Sequence, residues 1–97
     1  AWSSPGVLGN TVYALLDDRQ GGLYAAGVFT MAGGQAANGV AHWDGETWRA
    51  LGEGVADVES GRNIDAMAMS PSGDLYAGGD FIEIGGVKAN RLARWDG

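Results

Sequence analysis
The sequence predicts an all-β chain built of short antiparallel strands, and three observations carry that prediction. First, residues 21–45 recur as residues 73–97 at a constant offset of 52. Aligning 11–45 with 63–97 needs no gap, and 15 of those 35 positions are identical, among them Leu23 and Leu75, Phe29 and Phe81, and Trp43 and Trp95. Second, 18 glycines accompany only 2 prolines, a composition suited to many tight turns rather than long helices. Third, no apolar period of about 3.6 residues persists anywhere, whereas short apolar runs bounded by Asp, Ser, Pro and Gly do recur.

Each repeat reads as four strands. The first, strand a, is Thr11 to Leu16, with Asn63 to Met69 as its partner in the second copy. Turn residues follow at 17–22 and 70–74, and their Asp, Ser, Pro and Gly are hairpin chemistry. Strand b is Leu23 to Phe29, or Leu75 to Phe81. A loop carrying Gly33-Gly34, or Gly85-Gly86, leads to strand c, Gly39 to Trp43 or Arg91 to Trp95. The glycine doublets suit turn positions of positive φ, and no helix start follows them to make a phosphate site. Asp44-Gly45 signals another hairpin, after which Trp48 to Leu51 forms strand d.

In strand b, Leu75, Ala77, Gly79 and Phe81 share one face, and Tyr76, Gly78 and Asp80 the other. Both faces are small or apolar, unlike those of a half-solvated sheet, and the mid-strand Ala and Gly allow close approach of neighbouring sheets. A period of roughly 40–50 residues with four strands per unit describes a propeller blade. The predicted fold class is therefore an all-β β-propeller of four-stranded antiparallel blades, two per chain. Residues 1–45 form the first repeat and 46–97 the second, 46–51 being the d strand of the first blade.

The segments Leu75-Tyr76-Ala77-Gly78-Gly79-Asp80-Phe81, Gly85-Gly86, Asn90, Leu92-Ala93-Arg94-Trp95-Asp96-Gly97 and Trp48-Arg49-Ala50-Leu51-Gly52 resemble Gly-rich bacterial propeller repeats, and related patterns occur in kelch-like, delta-sixty and cortical cell-polarity marker repeats. The first copy departs at Ala26, where the pattern has Gly, and at His42, where it has Arg. The resemblance covers nearly the whole chain and implies the fold, whereas propellers host many activities.

Ala1-Trp2-Ser3-Ser4 matches the d strand Thr47-Trp48-Arg49-Ala50, so the order reads d, a-b-c-d, a-b-c. Two blades do not close a ring, since rings use about 4 to 8. The expectation is head-to-tail association, residues 1–4 completing a neighbour's last blade in a heterologous, cyclic contact. Trp2, Ser3, Leu92, Arg94 and Trp95 are the expected inter-chain residues. A trimer with six blades is preferred over a dimer or tetramer. The other route is a piece of a longer propeller, natural or engineered, without a ligand of its own, and the missing Met at position 1 leaves that route open.

The net charge of −6 divides as −2 over residues 1–45 and −4 over 46–97. With no basic stripe, nucleic acid is a poor partner. No apolar run approaches about 18 residues, so no membrane span is expected. There are no cysteines and a single histidine, His42, which leaves no zinc or copper set in one chain, and no cofactor is expected. Candidate ligand residues lie on the longer loops, a rigid scaffold's usual place for them: Gln35, Asn38, Glu53, Asp57, Glu59, Arg62, Lys88, Asn90 and Arg91. The loop 52–62 is six residues longer than its counterpart. Its acids suit oxygen ligation of a cation, but a solvated acidic loop is the plainer expectation. Asn38 and Asn90 read as turn residues bonding their own backbone, or as repeated sugar or peptide contacts. His42 reads as a partly exposed strand residue and the four tryptophans as packing. No catalytic set is visible, and the metal-bearing channel of a closed ring is the only enzymatic route kept open. The functional expectation is a non-enzymatic binding or scaffold ring, lectin-like in its sharper form, with a glycan or protein ligand.

Overall fold
The computed structural model describes residues 10–96, so the expected donated strand with Trp2 and Ser3 lies outside the described residues. In chain order the strands are β1 (Thr11–Asp17), β2 (Leu23–Val28), β3 (Met31–Ala32), β4 (Gln35–Ala36), β5 (Val40–Trp43), β6 (Trp48–Ala50), β7 (Asn63–Met69), β8 (Leu75–Asp80), β9 (Glu83–Ile84), β10 (Val87–Lys88) and β11 (Leu92–Trp95). One turn of 3-10 helix, Val58–Ser60, precedes β7. The described residues are all-β and their sheets antiparallel.

Two principal sheets carry the chain. The first has the order β1-β2-β5-β6, and the second the order β11-β8-β7. The strands lie where the repeat predicts them, trimmed by a residue at some ends and, in β1, extended by one to Asp17. The glycine loops contain more structure than expected: β3 pairs with β4 and β9 with β10, as two-residue hairpins. Their turns use Gly33 and Gly34 at φ 56° and 84°, and Gly85 and Gly86 at 59° and 79°, a region that costs glycine nothing.

The repeat also reproduces a defect. Register shifts between Val12 and Ala14 in β1, and between Ile64 and Ala66 in β7. These are bulges, at which one strand carries an extra residue and bends. Tyr13 and Asp65 are the extra residues, and both are exposed. Across from each bulge stands a glycine, Gly27 or Gly79. A Cβ on Gly27 would sit 2.2 Å from the Thr11 carbonyl oxygen, and one on Gly79 2.5 Å from that of Asn63.

Residues opposite one another in a ladder share a face. Leu23, Ala25, Ala41, Trp43 and Trp48 therefore line the front of the first sheet, and Leu16, Tyr24, Ala26, Val40 and His42 its back. The equivalent front of the second sheet holds Leu75, Ala77, Met67, Ala93 and Trp95. The back of the first sheet packs on the front of the second, β7 lying against β1 and β2. Ile64, Phe81 and Ala26 are fully buried in the resulting core, and Val40 is 3% exposed. Burying an Ile, Phe or Val side chain stabilises by about 1.5–3 kcal/mol.

A pair of sheets was expected to expose both outer faces. Both keep open ground, and on the front of the first sheet Leu15, opposite Ala25 in the ladder, is 65% exposed. On the front of the first sheet, Ala25, Phe29, Ala32, Ala37, Ala41 and Trp48 form a second buried cluster, assembled partly from the β3–β4 hairpin. The back of the second sheet is uncovered: Leu92 is 64% exposed and Tyr76 37%. Their counterparts Val40 and Tyr24 lie under the second sheet.

Candidate functional site
The loop between β6 and β7 is wedged between the two small hairpins. Val55 N–H donates to Asn38 O at 2.8 Å, Ala56 N–H to Glu83 O at 3.1 Å, and Gly85 N–H to Gly54 O at 2.8 Å. Val55 and Val58 point inward, 1% and 4% exposed. The solvated acidic loop expected for this stretch is thus half right, because its valines enter the core while its acids face out. Gly54 permits the approach with φ 68°, its Cβ position lying 2.2 Å from Asn38 O.

An open trough of about 680 Å3 runs along this junction. Of the predicted ligand residues it gathers Asn38, Glu53, Asp57 and Glu59, to which the fold adds Glu83. No basic side chain lines it. Glu83 escaped the sequence reading because it sits in a two-residue strand of the second copy, where the first copy has Met31. Among the described residues no three His, Cys, Asp or Glu side chains converge as a metal would require.

The remaining predicted residues are not part of the trough. Gln35 and Lys88 stand exposed on β4 and β10, and Asn90 and Arg91 are exposed ahead of β11. Arg62 instead pairs with Asp80 at 2.8 Å. Arg91 has φ 67° where its equivalent Gly39 has 77°, so this position is shaped by backbone demands. Asn38 does not bond its own turn as the plainer expectation had it. Its Nδ2 donates to Glu53 O at 3.2 Å, tying the β3–β4 hairpin to the long loop. Of the expected inter-chain residues, Leu92, Arg94 and Trp95 lie on β11, which has no strand on its outer side among the described residues.

A second polar cluster, absent from the sequence reading, lies where the two turns after β1 and β7 meet. Asp18 is buried and accepts N–H groups from Gln20 and Gly22 at 2.7 and 2.8 Å. Its Oδ2 lies 2.7 Å from His42 Nε2. The His42 ring stacks on Tyr24, centroids 4.7 Å apart. A cleft of about 290 Å3 opens beside them against Met69 and Pro71 of the second repeat. Arg19 reaches across to the carbonyls of Met69 and Ser70 at 3.3 Å. His42 is therefore the partly exposed strand residue expected, and it is also engaged, with a partner 24 residues away.

The Asp18 carboxylate gives this cluster an expected sensitivity to acid. The bond from His42, followed by that from Gln20, holds the Asp18 carboxyl below the ordinary carboxylate range, with burial opposing. Backbone N–H groups of Thr47 and then Glu46 do the same for Asp44 in its turn. Burial, then the Asp18 charge, pushes the Tyr24 hydroxyl up. Depressed carboxylates confer stability that is complete above the unfolded carboxylate range, near pH 4, and lost as pH falls through their lower folded values. Asp18→Asn is expected to lower the urea midpoint near pH 7 and to converge on the parent near pH 2. An equal offset at both pH values would show that carboxylate ionisation is not the stabilising element.

No family model, curated protein or solved structure matches the chain.

Proposed function
We propose that the chain is a two-blade portion of a β-propeller and serves as a non-enzymatic binding or scaffold module, with its ligand held in the trough beside Asn38, Glu53, Asp57, Glu59 and Glu83. The observation that carries this reading is the direction of packing. The front of the second sheet covers the back of the first, and the same back face is repeated, open, on the second sheet. A stack in which each sheet covers its predecessor has no natural end except closure into a ring. Copies of the chain meeting head to tail supply that closure, and three chains give six blades.

The likeness of its repeats to Gly-rich bacterial propeller sequences supports the same architecture. Carboxylates and a side-chain amide suit a ligand rich in hydroxyl donors, and repetition around a ring multiplies weak sites by avidity. A hydroxyl-rich glycan is therefore the ligand class we favour. The assembled protein is expected to bind members of a glycan array, and Asp57→Asn with Glu59→Gln to weaken that binding about tenfold. An array with no binding above background would overturn the glycan reading. Light scattering tests assembly separately, the expected mass being a multiple of the chain's 10.0 kDa.

A further inference from the structure
A second, apolar groove of about 390 Å3 runs beside β11 on the front of the second sheet. Its lining includes Ala77, Ile84, Gly85, Ala89, Ala93 and Trp95. Subtracting the repeat offset of 52 from these positions gives Ala25, Ala32, Gly33, Ala37, Ala41 and Trp43. In the first sheet those residues surround one side chain, Trp48 of β6. It is 4% exposed, its ring centroid is 5.5 Å from that of Trp43, and its Cδ1 lies 3.0 Å from the Cβ position of Gly33. The groove is thus the repeat's own indole socket, seen without its indole. The strand that would carry the indole is also missing among the described residues, because β5 has β6 on its outer edge and β11 has none.

We propose that this groove is an acceptor site for an extended segment bearing a tryptophan, and that its occupant is the segment Ala1-Trp2-Ser3-Ser4 of a second copy of the chain. Ala1 to Ser4 is the stretch that matches the β6 sequence Thr47-Trp48-Arg49-Ala50, tryptophan on tryptophan and small residue on small residue. The recognition is strand addition, in which main-chain hydrogen bonds hold the segment and one side-chain pocket selects it. An indole seated there buries on the order of 150–250 Å2, and the edge of β11, a template for unwanted pairing when bare, is closed. The first sheet also fixes the register. Ala41 faces Ala50, His42 faces Arg49, and Trp43 faces Trp48. Carried over, Ala93 faces Ser4, Arg94 faces Ser3, and Trp95 faces Trp2 of the neighbour. The proposal rests on the head-to-tail reading above in its choice of a second copy, while the socket itself follows from the internal repeat.

The chain contains no cysteine, so an introduced pair reports this contact alone. Opposite residues in an antiparallel ladder have Cα atoms about 4.5–5.5 Å apart, within disulfide reach. Ser3→Cys and Arg94→Cys are made in separate full-length chains, one carrying a size tag, and mixed under mild oxidation. The expected result is a mixed disulfide dimer. Ser4→Cys with Arg94→Cys should give about tenfold less, and adding Trp2→Ala to the Ser3→Cys chain should abolish the product while leaving the acceptor chain untouched. Absence of the mixed dimer overturns the proposal. So does a Ser3→Cys/Arg94→Cys double variant that closes within one chain and runs as a monomer, since the occupant is then the chain's own segment. If the parent is oligomeric by light scattering while no crosslink forms in this register, the groove assignment fails and the head-to-tail reading stands; if it is monomeric, both fail.

Discussion
Phe81→Ala is expected to lower the stability of the fold by about 3–5 kcal/mol, the cost of deleting a fully buried phenyl ring and leaving its space unfilled. Phe81 follows β8, is 0% exposed, and belongs to the cluster that joins Ile64 and Leu75 of the second sheet to Ala26 and Val40 of the first. The long loop contributes Val55 and Val58 to the same cluster, so the void would open where three parts of the chain meet. Domains of this size are stable by roughly 5–15 kcal/mol in all, and the variant should therefore be close to its unfolding threshold. Urea melts followed by circular dichroism check it, and a cost below about 1 kcal/mol would mean that the junction collapses freely around the gap.

Gly79→Ala should also be damaging, for a backbone reason. Its new Cβ would lie 2.5 Å from Asn63 O, 2.7 Å from Asp65 N and 2.8 Å from Ile64 Cα. All three are main-chain atoms of the bulge in β7, and none has a rotamer by which to move aside. Either β7 shifts or the bulge pairing is lost, and forced overpacking of this kind costs about 1–3 kcal/mol. The equivalent Gly27→Ala meets the bulge of β1 in the same way, 2.2 Å from Thr11 O, so the two variants should show similar losses in urea midpoint. Tolerance of both would mean that the bulges are soft.

The repeat made the principal strands legible before any coordinates, because fifteen shared positions mark where two copies of one local design begin and end. The alternation was legible too, since Leu75 and Ala77 share one face of β8 and Tyr76 the other, but the Tyr76 face, read as one that a neighbouring sheet would cover, is open. Legibility failed where period or offset says nothing. The β3–β4 and β9–β10 hairpins have two-residue strands, too short to show alternation. Asp18 and His42 meet through the fold of a turn against a strand, and the second copy has Ser70 and Arg94 there, so no repeated pattern announced the pair. The trough was partly visible, since Glu53, Asp57 and Glu59 sit in one extended loop. Glu83 joins them only because that loop bridges to the second hairpin through Ala56.

That bridging loop sets a stoichiometry. The trough needs both hairpins and the long insert between them, and this insert occurs once, after β6. The shorter connection ahead of β1 lacks its six extra residues. Among the described residues one trough therefore forms, not one for each sheet. In a titration of any assembled form, the number of equivalent ligands taken up would count chains, and each ligand would bear on two sheets at once. Occupancy would then stiffen the angle between those sheets, so that ligand and thermal melting are linked even though no bound atom touches the core.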